Sequence, residues 1–203
     1  ALNCHKTNEC HGWMGIRFQL EPLGEMHDII LHVRMLDREN RLQQEAIGML
    51  GVNLVYGAFH LNENPDDFIQ SLADGIDVER IEIDMIEFNG PEFDKFDNRI
   101  LCLKLTQAGL TDAIMFDQKG FVVQASEVLY KKSCLIERGS FRPVTKVNLD
   151  MLESAKSQFI NREQVDEKEL IVFMELTLGS LANEGTIDYK DFIDKKLVSK
   201  LGL

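Results

Sequence analysis

Apolar and polar residues alternate along several short segments, and this alternation predicts β-strands. The second of these segments is the most apolar, which indicates a buried strand. A later apolar stretch, residues 170–178, fits either a strand or a buried helix. In chain order, the predicted strands are residues 13–20, 28–36, 81–88, 111–117, 121–124 and 134–137.

Between these strands, apolar residues recur at steps of three and four, which is the spacing of an amphipathic helix. Asp37 and Asn64 are the expected N-caps of the first two helices, and Pro65 suits the first helical position. Ser126 is expected to cap a single helical turn. The predicted helices are residues 38–59, 65–73, 98–108, 149–159 and 188–201.

The order of these elements predicts an α/β fold, with a mixed or mostly parallel sheet covered by helices. We expect a single domain over residues 1–203, with a weak sub-boundary near the charged run 163–169. The chain begins at Ala1 with neither an initiator Met nor a signal-peptide pattern. We therefore expect it to be a fragment of a longer protein.

Composition narrows the classes of partner. The chain has 34 acidic and 22 basic residues and a net charge of -12, which repels nucleic acid and anionic membrane surfaces. No apolar run approaches the ~18 residues of a membrane span. Four cysteines in a chain of this size favour a reducing, cytoplasmic location over a disulfide scaffold. We therefore expect neither nucleic acid nor membrane as a partner. The composition does not indicate a particular cofactor.

Polar residues inside or just after apolar strands are the candidate catalytic residues. His32 and Arg34 share one face of an apolar strand, so they are either buried, paired groups or part of a site. Asp84 lies in the next long strand, and carboxylates in a cleft can act as acids or bases. Open α/β sheets bind ligands at strand ends, which adds Asn89 as a ligand-binding candidate. The catalytic candidates are His32, Arg34, Asp84, Asp97 and Arg99.

The N-terminal segment contains Cys4, His5, Cys10 and His11, which are residue types that bind zinc. The spacing between the two cysteines is not one of the usual zinc-binding spacings. A terminal segment that is disordered or separated from its natural context is the alternative interpretation, and Cys10 and His11 are the metal-binding candidates.

A glycine turn at residues 139–149 follows a strand and precedes a helix, where such turns bind phosphates. It resembles the opening motif of nicotinate- and nicotinamide-nucleotide adenylyltransferases, which reads Gly-Ser-Phe-Asn-Pro, a hydrophobic residue, Thr or His, two residues, His and Leu. The matching positions are Gly139, Ser140, Phe141, Pro143, Val144, Thr145 and Leu149.

That resemblance implies nucleotide binding and adenylyl transfer at this turn. Asn148 stands where that family has the histidine that contacts the phosphates, and Arg142 stands where it has Asn or Asp. Asparagine cannot supply the positive charge that stabilises the transition state. The ligand-binding candidates are Gly139, Ser140, Arg142, Thr145, Asn148, Asn89 and Arg138.

Several blocks spread over nearly the whole chain are similar to one group of uncharacterised bacterial proteins that are longer than this chain. The blocks include residues 7–13, 31–37, 109–113 and 138–145. Members carry labels such as nicotinate-nucleotide adenylyltransferase or TonB-dependent receptor. The resemblance implies a bacterial, soluble part of a longer protein and transfers no catalytic residue.

Two hypotheses on function follow. The first is an enzyme, or a small-molecule or nucleotide site, formed by polar residues at strand ends. The second is a non-catalytic interaction or assembly domain. Its surfaces would be residues 170–178 and the helix 38–59, whose Gly48, Gly51 and Gly57 suit close packing. These surfaces would bind the rest of the longer chain or a second copy.

Overall fold

A computed structural model describes residues 10–117, 119–139, 141 and 144–177, and the backbone of residues 182–183 and 186–187. By its internal contacts the chain divides into two compact units, residues 1–115 (unit 1) and residues 116–203 (unit 2). The charged run 163–169 lies inside unit 2. The expectation of a single domain stays a prediction.

Unit 1 is built on a three-stranded sheet in the order β1-β2-β3. The strands are β1 (Cys10–Phe18), β2 (His27–Met35) and β3 (Ile81–Asn89), and both pairings are antiparallel. The register places Trp13 opposite His32. The alternation in these three segments therefore predicted real strands, with bounds shifted by up to three residues.

Helices cover one face of this sheet. They are α1 (Asn40–His60), α2 (Pro65–Ser71) and α3 (Asn98–Gln107), with a short 3-10 turn at Pro91–Phe93. The core between sheet and helices is apolar because alternate strand residues point into it. Its fully buried side chains include Ile29, Leu31, Leu50, Phe68, Ile83, Ile86, Leu101 and Leu105.

The predicted N-caps have different outcomes. The prediction for Ser126 is wrong, because the helical turn Ala125–Val128 contains it and is preceded by Gln124 as the N-cap. Asn64 caps α2 as expected, with its side chain accepting from the backbone N–H groups of Asp66 and Asp67. The prediction for Asp37 is wrong, because α1 begins only at Asn40. Asp37 instead accepts from Nε of Arg80 at 2.8 Å. Arg80 lies 43 residues away in the sequence, so the pattern of residues around Asp37 could not predict this contact.

Unit 2 contains a short strand pair, a short helix and a parallel strand pair. The short pair is formed by β4 (Met115–Phe116), which begins at the last residue of unit 1, and β5 (Val122–Val123). The helix α4 (Ala125–Val128) follows. The parallel strands β6 (Ser133–Arg138) and β7 (Leu170–Glu175) are connected by α5 (Lys146–Glu163) and a 3-10 turn at Glu167–Glu169. The backbone also forms an antiparallel pair, β8 (Ala182–Asn183) and β9 (Thr186–Ile187).

The α/β class is confirmed. Most strand pairs among the described residues are antiparallel, so these strands do not form a mostly parallel sheet. The turn 19–26 between β1 and β2 is too short for a parallel crossover. Within the stretch 170–178, residues Leu170–Glu175 form a strand, and the predicted strand 111–117 is reduced to Met115–Phe116. The predicted helix 188–201 lies outside the described residues. Within them, no helix combines the length and apolar composition that a membrane crossing needs.

Candidate functional site

The face of the unit 1 sheet that points away from the helices, called here the outer face, is polar. Strand β1 shows the alternation clearly, since every second residue from His11 to Arg17 is exposed. Trp13 is 55% exposed there. The outer-face residues are His11, Trp13, Arg17, Asp28, Ile30, His32, Arg34, Glu82, Asp84, Met85 and Glu87.

A β-bulge in β3 shapes the centre of this face. Val33 pairs with Ile83 and His32 pairs with Met85, so Asp84 is an extra residue in the ladder. Ile83 and Ile86 are both buried in the core, whereas Asp84 and Met85 between them are only half-buried. The bulge therefore turns two successive side chains towards the outer face, both beside His32.

Asp84, His32 and His11 form a hydrogen-bonded chain across all three strands. Nδ1 of His32 lies 2.5 Å from Oδ1 of Asp84, and Nε2 of His32 lies 3.1 Å from Nδ1 of His11. Both ring nitrogens of His32 are thus engaged within the sheet. The chain runs from a mostly buried carboxylate to His11, whose side chain is exposed.

Aromatic side chains enclose the middle member of this chain. The rings of Trp13 and His32 meet edge to face with their centroids 4.9 Å apart. The His11 ring meets His32 in a similar way at 5.3 Å. As a result His32 is 0% exposed although it lies on the outer face.

A second polar group lies next to the chain. Nη1 of Arg34 donates to Oε2 of Glu82, and Oγ1 of Thr111 donates to Oε1 of the same carboxylate at 2.7 Å. At the other end of the face, Arg17 makes a two-point contact with Asp28 at 2.6 and 2.7 Å. The hydrogen bonds from Arg17 hold the pKa of Asp28 below its ordinary value.

The structure therefore brings three of the five predicted catalytic residues, His32, Arg34 and Asp84, together on one sheet face. Asp97 and Arg99 instead form a local pair at the start of α3. Asp97 caps this helix by accepting from the Arg99 backbone N–H at 2.9 Å, and it binds the Arg99 guanidinium. Hydrogen bonds from the Arg99 side chain lower the pKa of Asp97, against the effect of burial. Their catalytic role stays a prediction.

The metal-binding candidates lie at the start of β1. Cys10 and His11 are adjacent strand residues, so their side chains point to opposite faces of the sheet. Cys4 and His5 lie outside the described residues. In the described part of the chain, no three His, Cys, Asp or Glu side chains are grouped to hold a metal ion. Metal binding by Cys10 and His11 stays a prediction.

At the glycine turn, the described residues make contacts that hold the loop together. Thr145 and Asn148 form a capping box at the start of α5, and Nδ2 of Asn148 also donates to Glu137 at 3.3 Å. Nη2 of Arg138 binds Glu175, its neighbour on β7, at 2.8 Å. A Cβ on Gly139 would lie 3.0 Å from the buried Phe141 ring.

These contacts hold the turn together and involve four of the ligand-binding candidates, Arg138, Gly139, Thr145 and Asn148. Ligand binding by these residues stays a prediction. Ser140 and Arg142 lie outside the described residues. Asn89, the remaining ligand-binding candidate, ends β3 opposite Asp28.

Sequence reasoning missed two features of the outer face. Trp13 was assigned only to a strand, although it covers His32. The bulge was also missed, yet the segment Ile81–Asn89 carried a signal for it. The alternation of apolar and polar residues in this segment is interrupted where Met85 and Ile86, both apolar, follow one another, as an inserted strand residue would cause. No family model, curated protein or solved structure matches the chain.

Proposed function

We propose that unit 1 binds a small molecule on its outer face, with His11 acting as an acid–base group there. The observation that carries this proposal is the bulge, which adds one residue to β3 and uses it to bind His32. Bulges of this kind commonly re-aim a side chain next to a site. Under this proposal Asp84 and His32 are positioning residues, and Trp13 is the aromatic surface that the ligand contacts.

The direction of the hydrogen bonds supports this assignment of roles. An ionised carboxylate only accepts, so Nδ1 of His32 carries the hydrogen towards Asp84. Nε2 of neutral His32 is then an acceptor, and Nδ1 of His11 donates to it. The chain of hydrogen bonds thus ends at the ring of His11, on the exposed side of the sheet. Positive charge on this ring would be stabilised by the mostly buried carboxylate of Asp84 through His32.

The residues around His11 indicate the class of ligand. Trp13 is half-exposed beside it, and indole rings bind flat apolar groups by stacking or edge contact. Acidic residues outnumber basic ones on the outer face, which disfavours a highly charged anion. We propose a neutral or cationic small molecule with a flat ring and a polar group within reach of His11.

Trp13 makes the proposal directly testable, because it is the single tryptophan of the chain. A library of flat aromatic fragments that bear an amide or an amine would be screened by intrinsic fluorescence. We expect a fragment whose binding changes the emission of Trp13.

Substitution variants separate this site from unspecific binding. His11→Gln and Asp84→Asn are expected to weaken binding at least about tenfold. His60→Gln, which changes an exposed histidine on α1, is the matched control and is expected to bind as the unchanged chain does. Binding that survives His11→Gln unchanged, or a screen with no fragment that perturbs Trp13, contradicts the proposal.

The cytoplasmic location expected from composition also remains part of this proposal. It is supported by Cys102, which the core encloses as a thiol. Nucleotide binding at the glycine turn, bacterial origin and membership of a longer chain stay predictions.

A further inference from the structure

A gap interrupts the outer face of unit 1 at Gly15. The register pairs Gly15 with Ile30 on β2, and Ile30 with Glu87 on β3, so these three residues form one row across the sheet. On β1 the gap lies between Trp13 and Arg17, because every second residue of a strand points to the same face. Since Gly15 has no side chain, the half-buried Ile30 forms the floor of the gap.

The backbone does not require a glycine at this position. Gly15 is not one of the glycines with a positive φ, and the register of β1 with β2 is regular from Cys10 to Phe18. A Cβ on Gly15 would lie 3.2 Å from the carbonyl oxygen of Ile29, a contact that a shift of a few tenths of an ångström relieves. Glycine weakens a strand, and where no bulge or bend accounts for it, it marks a place that a ligand or another backbone approaches closely.

Glu87 differs from the other carboxylates of the outer face. Its side chain is half-buried, and it has no hydrogen bond or ion pair with any residue that the structure describes. A carboxylate in this position loses part of its hydration without a partner in return, and a bound ammonium group supplies one through a charge-assisted hydrogen bond. The other three carboxylates each have a basic partner, Asp28 with Arg17, Glu82 with Arg34 and Asp84 with His32.

We propose that the ligand of the outer face carries an ammonium group on a short arm, that Glu87 binds this group, and that the ligand ring lies in the gap at Gly15 beside Trp13. This inference rests on the small-molecule site proposed above and narrows its ligand to an aromatic ring with an alkylamine arm. The Cα atoms of His11 and Glu87 are four residues apart along the strands and two strands apart across the sheet, which corresponds to about 16 Å. Their side chains shorten this distance to one that a single ring with a short arm spans.

The test uses pairs of probes that share a ring and differ in the charge of the arm. The pairs are benzylamine with benzyl alcohol, phenethylamine with 2-phenylethanol, and tyramine with tyrosol. Binding to the full chain is followed at about pH 7, where alkylamines are charged, by the NMR signal of the indole N–H of Trp13, the single tryptophan. We expect an amine to bind at least about tenfold more tightly than its alcohol, because hydrogen bonds between charged groups are stronger than neutral ones.

Variants of the full chain assign this preference to Glu87. Glu87→Gln keeps the shape of the side chain but removes its charge, so amine and alcohol are expected to bind equally, whereas Glu87→Asp is expected to keep a preference for the amine. Glu45→Gln removes an exposed carboxylate from α1, on the opposite side of the sheet, and is the matched control with the full preference. Gly15→Val fills the gap and is expected to weaken both members of a pair. Far-UV circular dichroism verifies that each variant is folded.

The outcomes separate this inference from the proposed function. Equal affinity for amine and alcohol in the unchanged chain, an amine preference that persists in Glu87→Gln, or binding that Gly15→Val leaves unchanged overturns the inference. In each of these cases a ring still binds beside Trp13, so the proposed small-molecule site stands. Probes that all leave the Trp13 signal unchanged overturn both.

Discussion

At the scale of single residues, Cys102 shows most clearly how the position of a side chain in the fold determines its protonation state. Its Sγ lies in the core of unit 1, donates to the carbonyl oxygen of Ile86 at 3.2 Å and accepts from the Ile86 N–H at 3.5 Å. Burial raises the pKa of Cys102 to about 12, and the nearby carboxylates of Asp84 and Glu87 add to the effect. The folded protein therefore holds this thiol in its protonated form.

This raised pKa predicts how stability depends on pH. In the unfolded chain the thiol loses its proton near pH 9, whereas in the folded chain it keeps the proton up to about pH 12. The contribution of Cys102 is thus complete below pH 9 and is lost as the pH rises above it. We expect a loss of about 1 kcal/mol between pH 8 and 10, measured by urea unfolding.

Cys102→Ser is the control for this prediction, because the serine hydroxyl keeps a hydrogen-bonding group but does not titrate in this range. The variant is expected to be less stable at pH 7, and its stability is expected to fall less between pH 8 and 10. Equal pH dependence of the two proteins would contradict the assignment to Cys102.

The residue scale also shows what sequence can reveal about a site. His32, Arg34 and Asp84 were recognisable because polar side chains inside apolar strands require partners. The hydrogen bond between His32 and Asp84 was not recognisable from the sequence, because the two residues are separated by 52 positions and only the sheet register brings them together. Arg99 is the opposite case, because its partner Asp97 is only two residues away in the sequence and the two side chains bind each other.

At the scale of elements, α1 carries glycines of two kinds. Gly57 lets the helix approach Phe68 of α2, whose ring is fully buried. The Gly48 position is open. Sequence reasoning predicted close packing from the presence of glycine alone, and the structure shows such packing at Gly57.

These two glycines predict stability changes of opposite sign. Gly57→Ala forces the Phe68 ring to move and is expected to lower the free energy of unfolding by about 1–3 kcal/mol. Gly48→Ala meets no obstacle and is expected to raise it by up to about 1 kcal/mol. Both variants are measured by urea unfolding and compared with the unchanged chain. The same sign for both changes would refute the distinction.

The order of the elements also explains why the relative directions of paired strands could not be predicted. Alternation identifies a strand but says nothing about its neighbours. β3 follows two helices, an order typical of parallel crossovers, yet it pairs antiparallel with β2. In unit 2, by contrast, β6, α5 and β7 do form the parallel crossover that the same strand–helix order suggests.

At the scale of the whole molecule, the chain consists of two compact units that divide between Met115 and Phe116. Unit 1 contains the three-stranded sheet, its three helices and most of the fully buried side chains. It therefore contains a core of its own, which is the property that lets a domain fold alone. The sequence offered no linker-like composition at this division, and for that reason it was not expected there.

We predict that a fragment of residues 1–115 folds without unit 2. Far-UV circular dichroism is expected to show both helix and strand, and urea is expected to unfold the fragment in one cooperative transition. A fragment ending at residue 101 removes Leu103 and Leu105 from the core and is the control, which is expected to be unfolded. A fragment 1–115 without a cooperative transition would show that unit 2 is required.

The bulge in β3 has a consequence for how this sequence can change over time. If Asp84 were deleted, Ile83 would join Met85, and buried and half-buried positions would alternate without interruption from Ile81 to Phe88. Among the described residues, the hydrogen bond with His32 is the contact that accounts for the place of Asp84. In this strand, the loss or gain of a single codon would therefore remove or create the proposed site, and we expect the sheet to remain.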